Sequence, residues 1–101
     1  MIRHTVSFVL VHPPGSAEET AFLTQGRTVL SAIPGVEDFV VSAQVSPKSP
    51  HRFQFAMSFA DEAAYRAYDA HPAHVGFVTS SWVPEVADFA ELDLVPLPPE
   101  G

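Results

Sequence analysis

The chain has 101 residues, five Lys and Arg against twelve Asp and Glu for a net charge of −7, and 47% hydrophobic residues. This is one folded domain, too small to enclose a roomy pocket and also cover every apolar surface by itself, so self-association is expected. So few basic residues argue against nucleic acid or an anionic membrane as partner, the lack of cysteine removes disulfides and thiolate nucleophiles, and no segment reads as a membrane span or secretion signal, which makes the cytoplasm the expected location.

Residues Ile2 to Val11 alternate with a strand's period of two, with Ile2, His4, Val6, Phe8 and Leu10 on one face and Thr5, Ser7, Val9 and Val11 on the other. "HPPG" ends this strand. Ser16 and Glu19 have capping-box spacing, and Phe22, Gly26, Val29, Leu30 and Ile33 recur at helical intervals, predicting a helix to about Ala32. Gly26 weakens that helix but lets it approach a sheet closely. Pro34 and Gly35 turn the chain into a second strand, Val36 to about Val45, with Phe39, Val41, Ala43 and Val45 on one face.

"SPKSPHR" has two prolines and no apolar period, so a surface loop is expected there, with His51, like His12, in a solvated turn. A third strand, "FQFAMSF", aligns Phe53, Phe55, Met57 and Phe59. Asp61 caps a second helix, "EAAYRAYDA", whose Ala64, Tyr65 and Tyr68 share a face. A further helix is expected from Pro72 to Pro84, presenting Val75, Val78 and Trp82. Alternation resumes in "DFAELDLV", and residues 97–101 form a Pro-rich tail after a domain of residues 1–96.

The order β–α–β–β–α–β predicts a ferredoxin-like α+β fold, the split βαβ arrangement, with an antiparallel sheet and both helices on one face. Val9 and Val11 remain on the other face, which suggests a partner chain there, most simply a two-fold copy.

"YDAHPAHVGF" is the stretch that carries chemistry. Proline disfavours helical geometry in the residue before it and suits the first position of a helix, so one helix ends near His71 and the next begins at Pro72. His71 becomes the cap and His74 falls in the first turn, where the amide dipoles disfavour an imidazolium. Tyr68 lies in the last turn of the preceding helix, so a phenol and an imidazole can converge at one corner. The same pattern also suits a core tyrosine and a helix-boundary histidine with no catalytic role. His71 and His74 as metal ligands are a third reading. Pro72 disrupts a shared helical face and no H-E-x-x-H pattern is present, so no metal site is expected.

"RHTVSFVL", "IPGV", "FAMSFADEAAYRAYDAHPAHVGF" and "SSW", taken in order, resemble the stress-responsive A/B barrel (Dabb) family, and the last two blocks resemble its plant polyketide-cyclising branch. The resemblance implies a homodimeric α+β barrel. By position it gives His74 and Tyr68 the catalytic histidine and tyrosine of that branch, and His4 the histidine of its first strand. Val9 stands where the family often has lysine.

The expected pocket is narrow and mostly apolar, lined by Ile2, His4, Val6, Phe8, Phe22, Val29, Phe53, Phe55, Met57, Tyr65, Tyr68, His71, Val78 and Trp82 around His74. The expected activity is that of a polyketide cyclase-like enzyme or related proton-transfer lyase, without cofactor or metal, acting on a poly-β-keto or an apolar or aromatic carbonyl compound. A non-catalytic ligand-binding dimer and a cofactor-free monooxygenase of the related barrels are the alternatives.

Overall fold

In the computed structural model, which describes residues 1–99, the elements run β1 (Ile2–Leu10), α1 (Ala17–Ser31), β2 (Glu37–Ala43), β3 (Phe53–Phe59), α2 (Glu62–Ala70), α3 (Pro72–Phe77), a π-helical turn (Val78–Trp82), α4 (Val83–Glu85) and β4 (Val86–Leu94). The strands form one antiparallel sheet in the order β2-β3-β1-β4. This is the ferredoxin-like α+β fold.

The period-two pattern of β1 decides which face is covered. His4, Val6, Phe8 and Leu10 are buried, and register places Met57, Phe55 and Phe53 of β3 beside His4, Val6 and Phe8. Phe22 and Leu30 of α1, Tyr68 of α2 and Phe77 of α3 close over that layer. Phe8 is the hub of an aromatic cluster, with ring centroids 4.8 Å from Phe55, 5.0 Å from Trp82 and 5.7 Å from Phe22. Gly26 permits the close approach of α1: a Cβ there would lie 2.6 Å from the Phe55 ring.

Local caps set the helix starts. The Ser16 hydroxyl accepts the Glu19 N–H, while the Glu19 carboxylate reaches back to the Gly15 amide rather than to Ser16. Asp61 accepts the Ala64 N–H at 2.8 Å.

Several expectations need correction. β2 ends at Ala43, not Val45, because the Gln44 side-chain amide turns back to the carbonyls of Ser46 and His51, leaving Val45 90% exposed. Within β2 the register shifts between Glu37 and Val40, where Asp38 has φ +50, and of the expected apolar face only Phe39 and Val41 are half-buried, Ala43 and Val45 being exposed. His51 is buried, not solvated, with Nε2 2.7 Å from Asp88, and half-buried His12 contacts Glu85 at 2.7 Å. Pro84 does not end the helical run. The preceding turn is π-helical, with the Val83 N–H bonded to the Val78 carbonyl, and Pro84 then sits in the first turn of α4, where a missing N–H leaves no bond unmade. Residues 95–99 lie outside regular secondary structure, and Glu100 and Gly101 of the expected tail lie outside the described residues.

Among the described residues no helix lies over the other sheet face. Register aligns Val40, Ala56, Thr5 and Leu92 in a row across all four strands. Val40 is 45% and Leu92 65% exposed. No helix among the described residues is long and apolar enough to cross a membrane.

Candidate functional site

His71, held extended by the following proline, ends α2, and its Nδ1 accepts the Ala73 N–H at 3.0 Å to cap α3. Three residues on, the Nδ1 of His74 lies 3.0 Å from the Asp69 carbonyl oxygen. A carbonyl only accepts, so Nδ1 carries the proton and donates it. In the neutral ring Nε2 is then left with the lone pair.

The Tyr68 ring packs 4.6 Å from His74 and 5.1 Å from Phe59, and the residue is only 2% exposed. Among the described residues its hydroxyl makes no hydrogen bond, yet every fully sealed side-chain polar atom has a partner. The hydroxyl is therefore not sealed off, and Tyr68 is a wall of a cavity. Burial, then the charges of Asp69 and Glu91, push the phenol well above its ordinary range. It stays protonated, a donor with no acceptor within the fold.

A second constellation lies beside it. Buried His4 contacts Asp93 through Nδ1 at 2.6 Å, and the Tyr65 hydroxyl donates to the other Asp93 oxygen at 2.9 Å while lying 2.8 Å from His4 Nδ1. Burial first, and then the bond to and charge of Asp93, push the Tyr65 phenol far up as well. Its hydroxyl is committed to Asp93. The carboxylate fixes the His4 ring with Nδ1–H toward itself, which leaves Nε2 as the imidazole's free acceptor.

These groups border a cavity of about 340 Å³ between sheet and helices. His4 and Val6 reach it from β1, Phe55 and Met57 from β3, Tyr65 and Tyr68 from α2, and His74, Val78 and Trp82 from the α3–π corner. The other expected lining residues lie elsewhere. Phe8 and Phe22 are spent on each other and on neighbouring rings, at 0% and 1% exposure. Phe53, paired with Phe8, and Val29 are partly buried margins of the core, Ile2 lies at the far end of β1, opposite Phe59, and His71 is engaged as the cap.

The walls also include residues not anticipated: Leu30, Asp69, Phe77, Val83, Phe89 and Glu91. Alternation in "DFAELDLV" puts Phe89, Glu91 and Asp93 on one face, but only the pairing Val6–Glu91 and His4–Asp93 shows that it is the cavity face. Among the described residues, no group of three or more His, Asp or Glu side chains gathers to hold a metal ion.

The sequence pattern described as the stress responsive A/B barrel domain matches residues 2–96. Among solved structures, a Dabb family protein with a ferredoxin-like fold from Mesorhizobium loti is 52% identical, with 96% of this chain and 97% of that one covered and a TM-score of 0.95. A dimeric ferredoxin-like protein from Thermobifida fusca is 21% identical over 94% and 90% of the two chains, with a TM-score of 0.77. A hydroxynitrile lyase from Passiflora edulis is 10% identical over 99% and 96%, with a TM-score of 0.83. None of the curated proteins matches.

Proposed function

The chain belongs to the stress-responsive A/B barrel family, and on that premise we propose that it is a cofactor-independent enzyme that moves protons on a small carbonyl compound, in the manner of a polyketide cyclase. The observation that carries this reading is the unpartnered hydroxyl of Tyr68, whose ring packs against His74 and which lines one mostly apolar cavity with it. At about 340 Å³ the cavity suits a ligand of one ring and short substituents.

His74, with Nδ1–H held by the Asp69 carbonyl, takes through Nε2 a proton from a carbon flanked by two carbonyls. The resulting enolate carbon attacks a second carbonyl of the same molecule, forming a carbon–carbon bond, and the new alkoxide recovers the proton from the imidazolium. Tyr68 keeps its own proton throughout and donates a hydrogen bond to the oxygen on which charge collects. His4, oriented by Asp93, is an acceptor for a substrate hydroxyl or enol. Such carbon acids are already activated by their neighbours, so a base and a donor contributing roughly 10²–10⁴-fold each are enough. The same pair, run in the opposite sense, serves lyase chemistry. The Passiflora protein, a hydroxynitrile lyase, has this fold.

We further infer a homodimer formed through the uncovered sheet face. Val40 and Leu92 on that face are exposed and need cover, and structural neighbours are described as dimeric.

Deuterium incorporation at the central carbon of 1-phenyl-1,3-butanedione, followed by NMR, tests the proton transfer. Tyr68→Phe and His74→Ala should each slow catalysed exchange at least about 100-fold. Because the Tyr68 hydroxyl has no partner in the fold, Tyr68→Phe should shift stability by no more than about 0.5 kcal/mol. Full exchange in both variants would overturn the assignment. A marked loss of stability in Tyr68→Phe would favour the ligand-binding alternative, in which the phenol is structural.

A further inference from the structure

The charge around the cavity limits what can enter it. Glu91, opposite Val6 in the sheet, and Asp69, at the end of α2, both line it. Among the described residues neither carboxylate forms an ion pair or accepts a hydrogen bond. Asp93 adds a third negative charge behind His4.

Among the described residues, no lysine or arginine lines this cavity. Of the five in the chain, Arg3 bonds the Asp38 carbonyl and Ser58, Arg66 faces Glu62, and Arg27 borders a separate groove between α1 and β2. Lys48 and Arg52 belong to the loop between β2 and β3.

We propose that the ligand of this cavity is a carbonyl compound without negative charge, and that Glu91 and Asp69 are the specificity-determining residues that turn away a carboxylate of the same shape. A neutral carbonyl oxygen can take the Tyr68 hydrogen bond at no electrostatic cost, and a protonated amine gains from both carboxylates. A carboxylate meets two unpaired like charges with no cation to offset them. Burial first, and then the charges of Asp69 and Glu91, raise the Tyr68 phenol, the direction that these two carboxylates give to the field inside the cavity.

Asp69 and Glu91 are exposed residues, and at about 4 Å in water two charges interact by about 1 kcal/mol, so each carboxylate should shift affinity roughly fivefold at low ionic strength. The inference rests on the reading that this cavity is the substrate site, but binding measures it without any turnover.

Three probes separate the cases: 3-acetylbenzamide, its isostere 3-acetylbenzoate, and the similarly sized cation 3-acetylbenzylammonium. Occupancy is read from the fluorescence of Trp82, the sole tryptophan and a cavity wall. At pH 8 and low salt, the amide should bind at least about tenfold more tightly than the benzoate, and the ammonium at least as tightly as the amide. Glu91→Gln should narrow the amide-to-benzoate gap roughly fivefold, and added Asp69→Asn should narrow it further.

The proposal is overturned if benzoate binds as well as the amide, if the gap survives both substitutions unchanged, or if neither amide nor ammonium binds. Absence of catalysed deuterium exchange in the parent protein, with this ranking intact, would overturn the catalytic reading alone.

Discussion

Two helical glycines should respond to alanine with opposite sign. At Gly26 of α1 an added Cβ meets Phe55 ring atoms at 2.6 and 2.9 Å and the Phe77 ring at 3.4 Å, so the closest pair falls about 0.8 Å short of ordinary contact. Phe55 is fully buried, with Phe8 at 4.8 Å and Phe39 at 5.5 Å, so its ring can yield mainly toward the cavity it lines. Alanine gains about 1 kcal/mol of helix propensity, while overpacking a core costs about 1–3 kcal/mol. The clash wins, by about 1 kcal/mol net. At Gly76 of α3 no atom lies within 4 Å of the added Cβ, so Gly76→Ala has only the gain.

Thermal unfolding of the two variants and the parent at one matched protein concentration measures the contrast, since dimerisation would make Tm depend on concentration. Gly26→Ala should lower Tm by about 4–8 °C and Gly76→Ala should raise it by up to a similar amount. Gly26→Ala should also weaken probe binding, because the displaced Phe55 ring moves into the cavity. A rise in Tm for both variants would refute the packing argument.

Alkaline pH offers a second check, because Tyr65 and Tyr68 are the only tyrosines and burial pushes both phenols far up. A group that keeps its proton when folded and loses it when unfolded supports the fold fully below the unfolded value of about 10, and that support falls as pH rises beyond it, by about 1.4 kcal/mol per pH unit for the buried Tyr68. Stopped-flow absorbance at 295 nm after a jump to pH 11 should show tyrosinate only as the chain unfolds. An instantaneous signal worth one tyrosine in the folded protein would contradict the burial argument. At the uncovered sheet face, Leu92→Lys should shift sedimentation from dimer toward monomer without removing the secondary structure, and an unchanged dimer would mean that another surface mediates association.

Features set by neighbouring residues could be read from the chain, whereas those set by strand register could not. The caps at Ser16, Asp61 and His71 depend on spacings of two or three residues, and each forms. The alternation of β1 identified the buried face, and Gly26 marked the close approach of α1. By contrast, His4 finds Asp93, His12 finds Glu85 and His51 finds Asp88 across 89, 73 and 37 residues, all within the segment that leads into and forms β4. Nothing in "DFAELDLV" says which face meets the cavity until β4 pairs with β1. The lining was overdrawn at Phe8, Phe22 and Phe53 for a related reason: aromatic residues on the correct face pack against one another before they border open space.

The central claim is that the Tyr68 hydroxyl points into open space and donates to whatever oxygen arrives there. Isotope-edited infrared spectroscopy of 3-acetylbenzamide, carrying ¹³C at the ketone carbon and bound to the protein, reports that bond alone. The account predicts a ketone stretch shifted to lower frequency in the parent protein and returned to its value in an aprotic apolar solvent in Tyr68→Phe. An equal frequency in the two proteins, with the probe bound in both, would contradict it.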